Sequence, residues 1–403
     1  MHFTGRRFER AELATLFFLN AAAAGMWLVP FANVLTAHGY GAIVPFAYAC
    51  GGVAAFISPM IFGALADQHI PPAQLLRWLS LGCAALMTLT FFAIESGWRS
   101  LAVLASLQCY TICAAPSFGL ATTIIMARLR EPGREFGPIR AWATFGWMAS
   151  GLVVSWVLHA DTSTLSGYAA AGTWLLAGLW TFALPPVPPP DFKTKRTWRD
   201  VFGLEALELF KHRNHRVVFI TGALFNIPMA AFYPYTPMHL RAAGVEHATA
   251  AMTLGQITEI IAMIGLGWLL VRVRLKWLFL AGIGFGVLRY VLYALDDTPW
   301  LLVGISLHGL AFTLYFVVAQ VYLEQRAPIR LRARAQALLA VMTSGFGNLA
   351  GYLGSGLWKS ANTFGDTTRW PVFWSGLGIA TAVVFVGFAA TYRSRENVGE
   401  FSS

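Results

Sequence analysis

The chain has 403 residues, of which 57% are hydrophobic and 12% charged, with a formal net charge of +10. Soluble domains carry about 25% charged residues. This composition and a mean hydropathy of +0.59 therefore exclude an ordinary soluble enzyme and indicate a multi-span membrane protein. The basic residues lie scattered in short loops between apolar runs, which is a topology signal rather than a nucleic-acid surface. The first apolar run is too long for the core of a cleavable signal peptide. Cys50, Cys83, Cys109 and Cys113 all fall inside apolar segments without a His or Asp cluster. They read as small buried hydrophobes, with no metal site, cofactor or disulfide framework.

In chain order, windows of about 20 apolar residues predict twelve spans: 13–37, 42–66, 73–94, 101–127, 139–160, 167–184, 216–240, 249–271, 277–295, 300–325, 335–358 and 370–392. With both ends inside, one set of loops holds most of the Lys and Arg. The opposite set holds only Arg99, Arg241, Lys359 and Arg369, while Arg140 and Arg289 lie within spans. This asymmetry predicts cytoplasmic amino and carboxyl termini. The longest loop, 185–215, separates an N-terminal six-helix bundle (1–184) from a C-terminal one (216–403). It opens with PPVPPP, a stiff segment. It then runs into a stretch where Leu204, Leu207 and Phe210 predict the apolar stripe of a short amphipathic helix, with a plain linker as the alternative.

The second span ends in GALAD, and its Asp67 precedes a cytoplasmic loop, where a carboxylate favours the positive end of a helix. Asp67 is thus a candidate gating residue, or simply a loop carboxylate. In the fifth span Arg140, Thr144 and Trp147 share one helix face. Forked donors, a hydroxyl and a flat apolar plate suit a ligand with a ring and several oxygens. The alternative is an Arg snorkelling to the headgroups. The seventh span carries Asn226, Met229 and Tyr233 on one face, and Pro228, Pro234 and Pro237 predict a kink or break.

The eighth span carries Gln256 and Glu259 near its middle, three residues apart and so on one face. A carboxylate at that depth costs roughly 2.5–3.5 kcal/mol on insertion scales, and such residues mark ion or substrate pathways. Arg289 in the ninth span is a natural counter-charge, with Glu259 one candidate partner. The tenth span places His308, Phe312 and Tyr315 on one face. His308 is either a proton relay or a satisfied core residue, and Glu324 further on is expected in a helix-end ion pair near Arg326.

Together FGPIRAWATFGW, GLEALELFKHR, GQITE, LRYVLYAL and RAQALLAVMTSGFGNLAG resemble the nucleoside:proton symporter family of the major facilitator superfamily, over nearly the whole chain. The resemblance implies an all-α membrane fold of twelve transmembrane helices in two pseudo-symmetric six-helix bundles. It implies secondary active import of nucleosides across the cytoplasmic membrane by alternating access with proton symport. No enzyme activity, cofactor or nucleic-acid partner is implied, and the working unit is a monomer in membrane lipid. The family's substrate-binding positions fall on Arg140, Thr144, Trp147, Asn226, Gln256, Glu259, His308 and Phe312. Proton coupling falls to Glu259 or His308, and cytoplasmic gating to Asp67. Departures are Trp147 for a Phe, Asn226 for a Gln, Met229 for an Asn, His308 for a Tyr and Thr313 for an acid. These leave open a sugar or glycoside symporter of a neighbouring branch, or a sensor that keeps the fold without transport.

Overall fold

A computed structural model describes residues 3–68, 70–184 and 198–393. The first helices are α1 (Phe3–Leu28), α2 (Phe31–Ala37), α3 (Val44–Gln68), α4 (Pro72–Glu95), α5 (Ser100–Ala114) and α6 (Ser117–Met126). They are followed by α7 (Pro132–Leu152), α8 (Leu165–Trp180), α9 (Trp198–Val201), α10 (Arg213–Met229), α11 (Phe232–Ala242), α12 (Ala248–Ala251) and α13 (Thr253–Arg272). The remainder is α14 (Leu275–Ala294), α15 (Thr298–Phe312), α16 (Val318–Arg326), α17 (Arg332–Ala340), α18 (Asn348–Ala361) and α19 (Trp370–Thr391). A two-residue hairpin, β1 (Thr363–Phe364) with β2 (Thr367–Thr368), joins α18 to α19 in antiparallel register.

Proline sets several of the breaks, because it removes an N–H and clashes with the preceding turn. Pro30 lies between α1 and α2, and Pro116 between α5 and α6. Pro228 sits in the last turn of α10, just before the chain re-enters as α11. Three segments widen into π-helix: Val153–Val157 after α7, Thr313–Val317 after α15 and Val341–Gly347 before α18.

Among the described residues, ten helical stretches are long and apolar enough to cross a membrane. The chain is an integral membrane protein. The two remaining expected spans, 139–160 and 167–184, coincide with α7 and its π-turn and with α8. The latter has only 16 residues.

The chain forms two units, Met1–Arg196 with Glu246–Thr253, and Thr197–Val245 with Leu254–Ser403. The first is built around α1, which packs on α7 and α8. A Cβ at Gly146 of α7 would lie 2.2 Å from the Phe18 carbonyl oxygen, so only glycine permits that approach. Leu13, Leu16, Phe17, Leu76 and Ile124 fill the adjoining core. In this unit Asp161 accepts from the Thr249 N–H (2.7 Å) and Ser155 from the Ala250 N–H (2.9 Å), satisfying the start of α12. The second unit centres on Phe219, Phe225, Phe279, Ile283 and Tyr315, all fully buried.

The stretch after the central prolines differs from the expected amphipathic helix. Residues Leu204–Lys211 form a 3₁₀-helix, and its buried face is Ala206 and Leu209, while Leu207 is 46% exposed. Of the expected stripe Leu204, Leu207 and Phe210, Phe210 packs on Phe219 with centroids 5.3 Å apart, while Leu207 faces outward. Ion pairs decide the choice. Asp200 and Glu205 meet Arg334 at 2.8 and 2.7 Å, and Glu208 meets Arg330 at 2.8 Å. Gly203 turns the chain with φ of 64°, where a Cβ would strike the Arg334 carbonyl oxygen at 2.0 Å. The proline run at 185–190 lies outside the described residues. Asp67 lies in the last turn of α3, but its side chain is outside the described residues.

Candidate functional site

In the first unit Arg140, Thr144 and Trp147 are all half-buried on α7. The Arg140 guanidinium lies 4.5 Å from the Phe118 ring centroid and 5.9 Å from that of Phe17. It is therefore braced by aromatic faces, a cation–π arrangement that holds a charge in an apolar surround. Ser150 donates to the Trp147 carbonyl at 2.6 Å, and the helix then opens into the π-turn at Val153. Such turns frequently accompany functional sites. Asn20 and Trp27 on α1 are core residues: Asn20 donates to the Leu16 carbonyl, and Trp27 packs edge-on against Phe31 and Tyr110.

In the second unit the polar face of α13 is present as the spacing predicted. Gln256 is 4% exposed and Glu259 is half-buried. Tyr233, at the start of α11, lies against Gln256 and within electrostatic reach of Glu259 and Tyr352. Backbone contact positions α13 against α15. A Cβ at Gly309 would fall 2.2 Å from the Glu259 nitrogen and 2.3 Å from the Gly255 carbonyl oxygen. Thr258 donates to the Ser306 carbonyl at 2.5 Å across the same crossing. Small residues at membrane helix crossings allow this closeness.

Asn226 on α10 is braced by its own amide. Its Nδ2 donates to the Thr343 carbonyl (2.9 Å) and to Asn348 Oδ1 (2.6 Å). Both amide hydrogens are thus committed, which leaves the oxygen as the uncommitted group. Asn348 as the brace was not visible in the sequence, since it lies 122 residues away.

His308 and Phe312 stack on one another with centroids 6.4 Å apart. Tyr315 does not continue their face, contrary to expectation. The π-turn Thr313–Val317 shifts the register, and Tyr315 is fully buried, donating to the Val218 carbonyl at 3.0 Å. Thr313 is likewise fully buried, and its hydroxyl has no hydrogen-bond partner among the described residues.

Arg289 does not meet Glu259. It is fully buried, with Nη1 2.7 Å from His308 Nδ1 and Nη2 donating to the Tyr290 hydroxyl (2.6 Å) and the Met229 sulfur (3.1 Å). The Phe232 ring stacks flat on His308 with centroids 3.7 Å apart. Sequence reasoning passed over Phe232; the FYPY run was the available signal. Glu324 pairs with Arg332 at 3.5 Å rather than with Arg326, because the chain turns back into α17 at that point. The cysteines carry no disulfide, and Cys109 is exposed rather than buried. It sits on an apolar helix, where outward-facing positions need no polar group.

Residues 9–397 match the model of the family described as Nucleoside H+ symporter. The chain is 30% identical to the protein YegT of Escherichia coli (strain K12), over 96% of this chain and 94% of that protein. It is 26% identical to the nucleoside permease NupG of the same organism, over 94% of this chain and 95% of the permease. A crystal structure of a mutant of the nucleoside transporter NupG superposes with a TM-score of 0.87 at 25% identity, covering 95% of this chain and all of that one.

Proposed function

Because the chain belongs to the Nucleoside H+ symporter family, we propose that it imports nucleosides together with protons, exposing one binding site in turn to each side of the cytoplasmic membrane. The observation that carries this reading is the α13 face: Gln256 and Glu259, with Tyr233 against them, in an otherwise apolar helix. A polar face of that kind is costly in a membrane and is retained for a ligand or an ion.

In this reading Gln256 and Glu259 hydrogen-bond the ribose hydroxyls. Arg140, Thr144 and the Asn226 oxygen meet polar edges of the base, and Trp147 and Phe312 cover its faces. Aromatic plates accept any base by stacking, while the polar groups set preference. His308, beside Phe312, contributes a further polar contact. Glu259 carries the proton, as the carboxyl on the polar face of α13. The fold in this proposal has twelve spans, six in each of two pseudo-symmetric bundles, with both termini cytoplasmic. The working unit is a monomer, and Asp67 acts in cytoplasmic gating.

The test is uptake of labelled uridine and adenosine into proteoliposomes, with and without an inward proton gradient. Accumulation above equilibrium that depends on the gradient, and that unlabelled nucleosides but not free sugars inhibit, is the expected result. Uptake of neither nucleoside, or equilibration indifferent to the gradient, sinks the reading.

A further inference from the structure

Arg289 is a fully buried guanidinium, and among the described residues no carboxylate is paired with it. Its surroundings dictate the state of its neighbour. A guanidinium has five donors and no acceptor. The contact of 2.7 Å between Arg289 Nη1 and His308 Nδ1 is a hydrogen bond only if Nδ1 accepts. A neutral imidazole that accepts at Nδ1 carries its proton on Nε2. The other Arg289 bonds are consistent with this. Tyr290 sends its own proton to the Pro228 carbonyl at 2.5 Å, so its oxygen accepts from Nη2. Phe232 fixes the plane of the imidazole, lying within 5° of parallel to it, and its centroid is 5.3 Å from the guanidinium.

We infer that Arg289 is a positioning residue: it holds His308 as a neutral ring with a fixed Nε2–H donor, which serves the nucleoside and not the transported proton. Protonating His308 requires a hydrogen on Nδ1, where an Arg289 N–H already points. Two donors and two positive charges then face each other across 2.7 Å. The remaining titratable groups around the ring are Tyr233 of α11, edge-on with centroids 6.1 Å apart, and Tyr290 and Tyr293 of α14 beside Arg289. On α13 there is Glu259, whose backbone nitrogen abuts Gly309. Of these groups Glu259 alone is a carboxyl, so the proton falls to it. His308 then selects substrates that offer an acceptor, such as a carbonyl oxygen or imine nitrogen of a base. The recognition half of this inference rests on the nucleoside site proposed above; the state of the ring does not.

The deciding measurement is nitrogen NMR of the full chain in lipid nanodiscs, with ¹⁵N-labelled histidine and the His308 signals assigned by their loss in His308→Phe. In the unsubstituted protein the expected spectrum shows bare Nδ1 and protonated Nε2, unchanged from pH 8 to pH 5. An imidazolium, or a proton on Nδ1, overturns the inference. In Arg289→Met no donor faces Nδ1, and the expected spectrum shows a proton on Nδ1 in part of the population, with the single tautomer lost. A folded Arg289→Met whose ring keeps its state at pH 5 removes the positioning role. Should that variant not fold, the unsubstituted spectrum still decides. In proteoliposomes His308→Phe is expected to raise KM for uridine about tenfold, the loss of one hydrogen bond, while uptake stays driven by the proton gradient. Loss of gradient-driven accumulation with equilibration intact makes His308 the proton carrier and overturns the inference. If the unsubstituted protein takes up no nucleoside, the proposed function fails by itself, and the NMR arm still judges the ring.

Discussion

Glu259 and Asn226 lie in the same unit, yet the chemistry around them predicts different phenotypes. Glu259 is half-buried beside Gln256 and Tyr233. Glu259→Gln keeps the shape and the hydrogen-bonding groups but cannot exchange a proton. Gradient-driven uridine accumulation should fall to equilibrium, while exchange of internal for external nucleoside persists, measured in the same vesicles. Asn226 spends its amide hydrogens on Thr343 and Asn348. Asn226→Ala strands both acceptors, and an unsatisfied buried polar group costs about 1–3 kcal/mol. The expected outcome is a lower unfolding midpoint without ligand, together with a higher KM. A substitution at a purely ligand-facing residue would leave the midpoint in place.

At the scale of elements, α13 and α15 cross so closely that their backbones touch. Gly309→Ala would put a methyl carbon 2.2 Å from the Glu259 nitrogen. Overpacking of a tight core costs about 1–3 kcal/mol, and here the obstacle is backbone, which yields less than a side chain. Gly309→Ala should therefore lower thermal stability and weaken uridine binding together, read by thermal shift and by isothermal titration. The 3₁₀-helix Leu204–Lys211 is held in part by exposed ion pairs, each of modest worth. The Arg330 guanidinium holds the Glu208 carboxyl below the usual carboxylate range. A carboxyl with a lower pKa in the folded chain stabilises it above the unfolded pKa, and that contribution is lost as pH falls through the folded value. Amide exchange in residues 204–211 should thus quicken on acidification below the ordinary carboxylate range, and Glu208→Gln should reduce that acid sensitivity, the Asp200 and Glu205 pairs with Arg334 keeping the rest.

For the molecule as a whole, ligand that binds only the folded state stabilises it by about 2.7 kcal/mol at one hundred times its Kd. Purified protein should show a saturable rise in unfolding midpoint with nucleosides and none with free sugars, measured by differential scanning fluorimetry.

What the sequence determined on its own follows from local cost. A membrane charges every polar residue for its depth, so apolar runs, basic loops and the one central carboxylate of the second half were legible from residue type and spacing alone. Gln256 and Glu259 needed only the helical period to be placed on one face. Partnership across helices was not legible, because it depends on depth and register that no local pattern encodes. Arg289 had a nearby acid to suggest itself in Glu259, yet it meets His308 instead. Asn226 is tied to a residue 122 positions away. Tyr315 left the expected face because a π-turn shifted the register beneath it. The linker turned Leu207 outward and buried Ala206 and Leu209, because Arg330 and Arg334 lay within reach of its acids. Each of these was decided by which groups folding brought within hydrogen-bonding distance, where a single misplaced donor outweighs the propensity of a short segment.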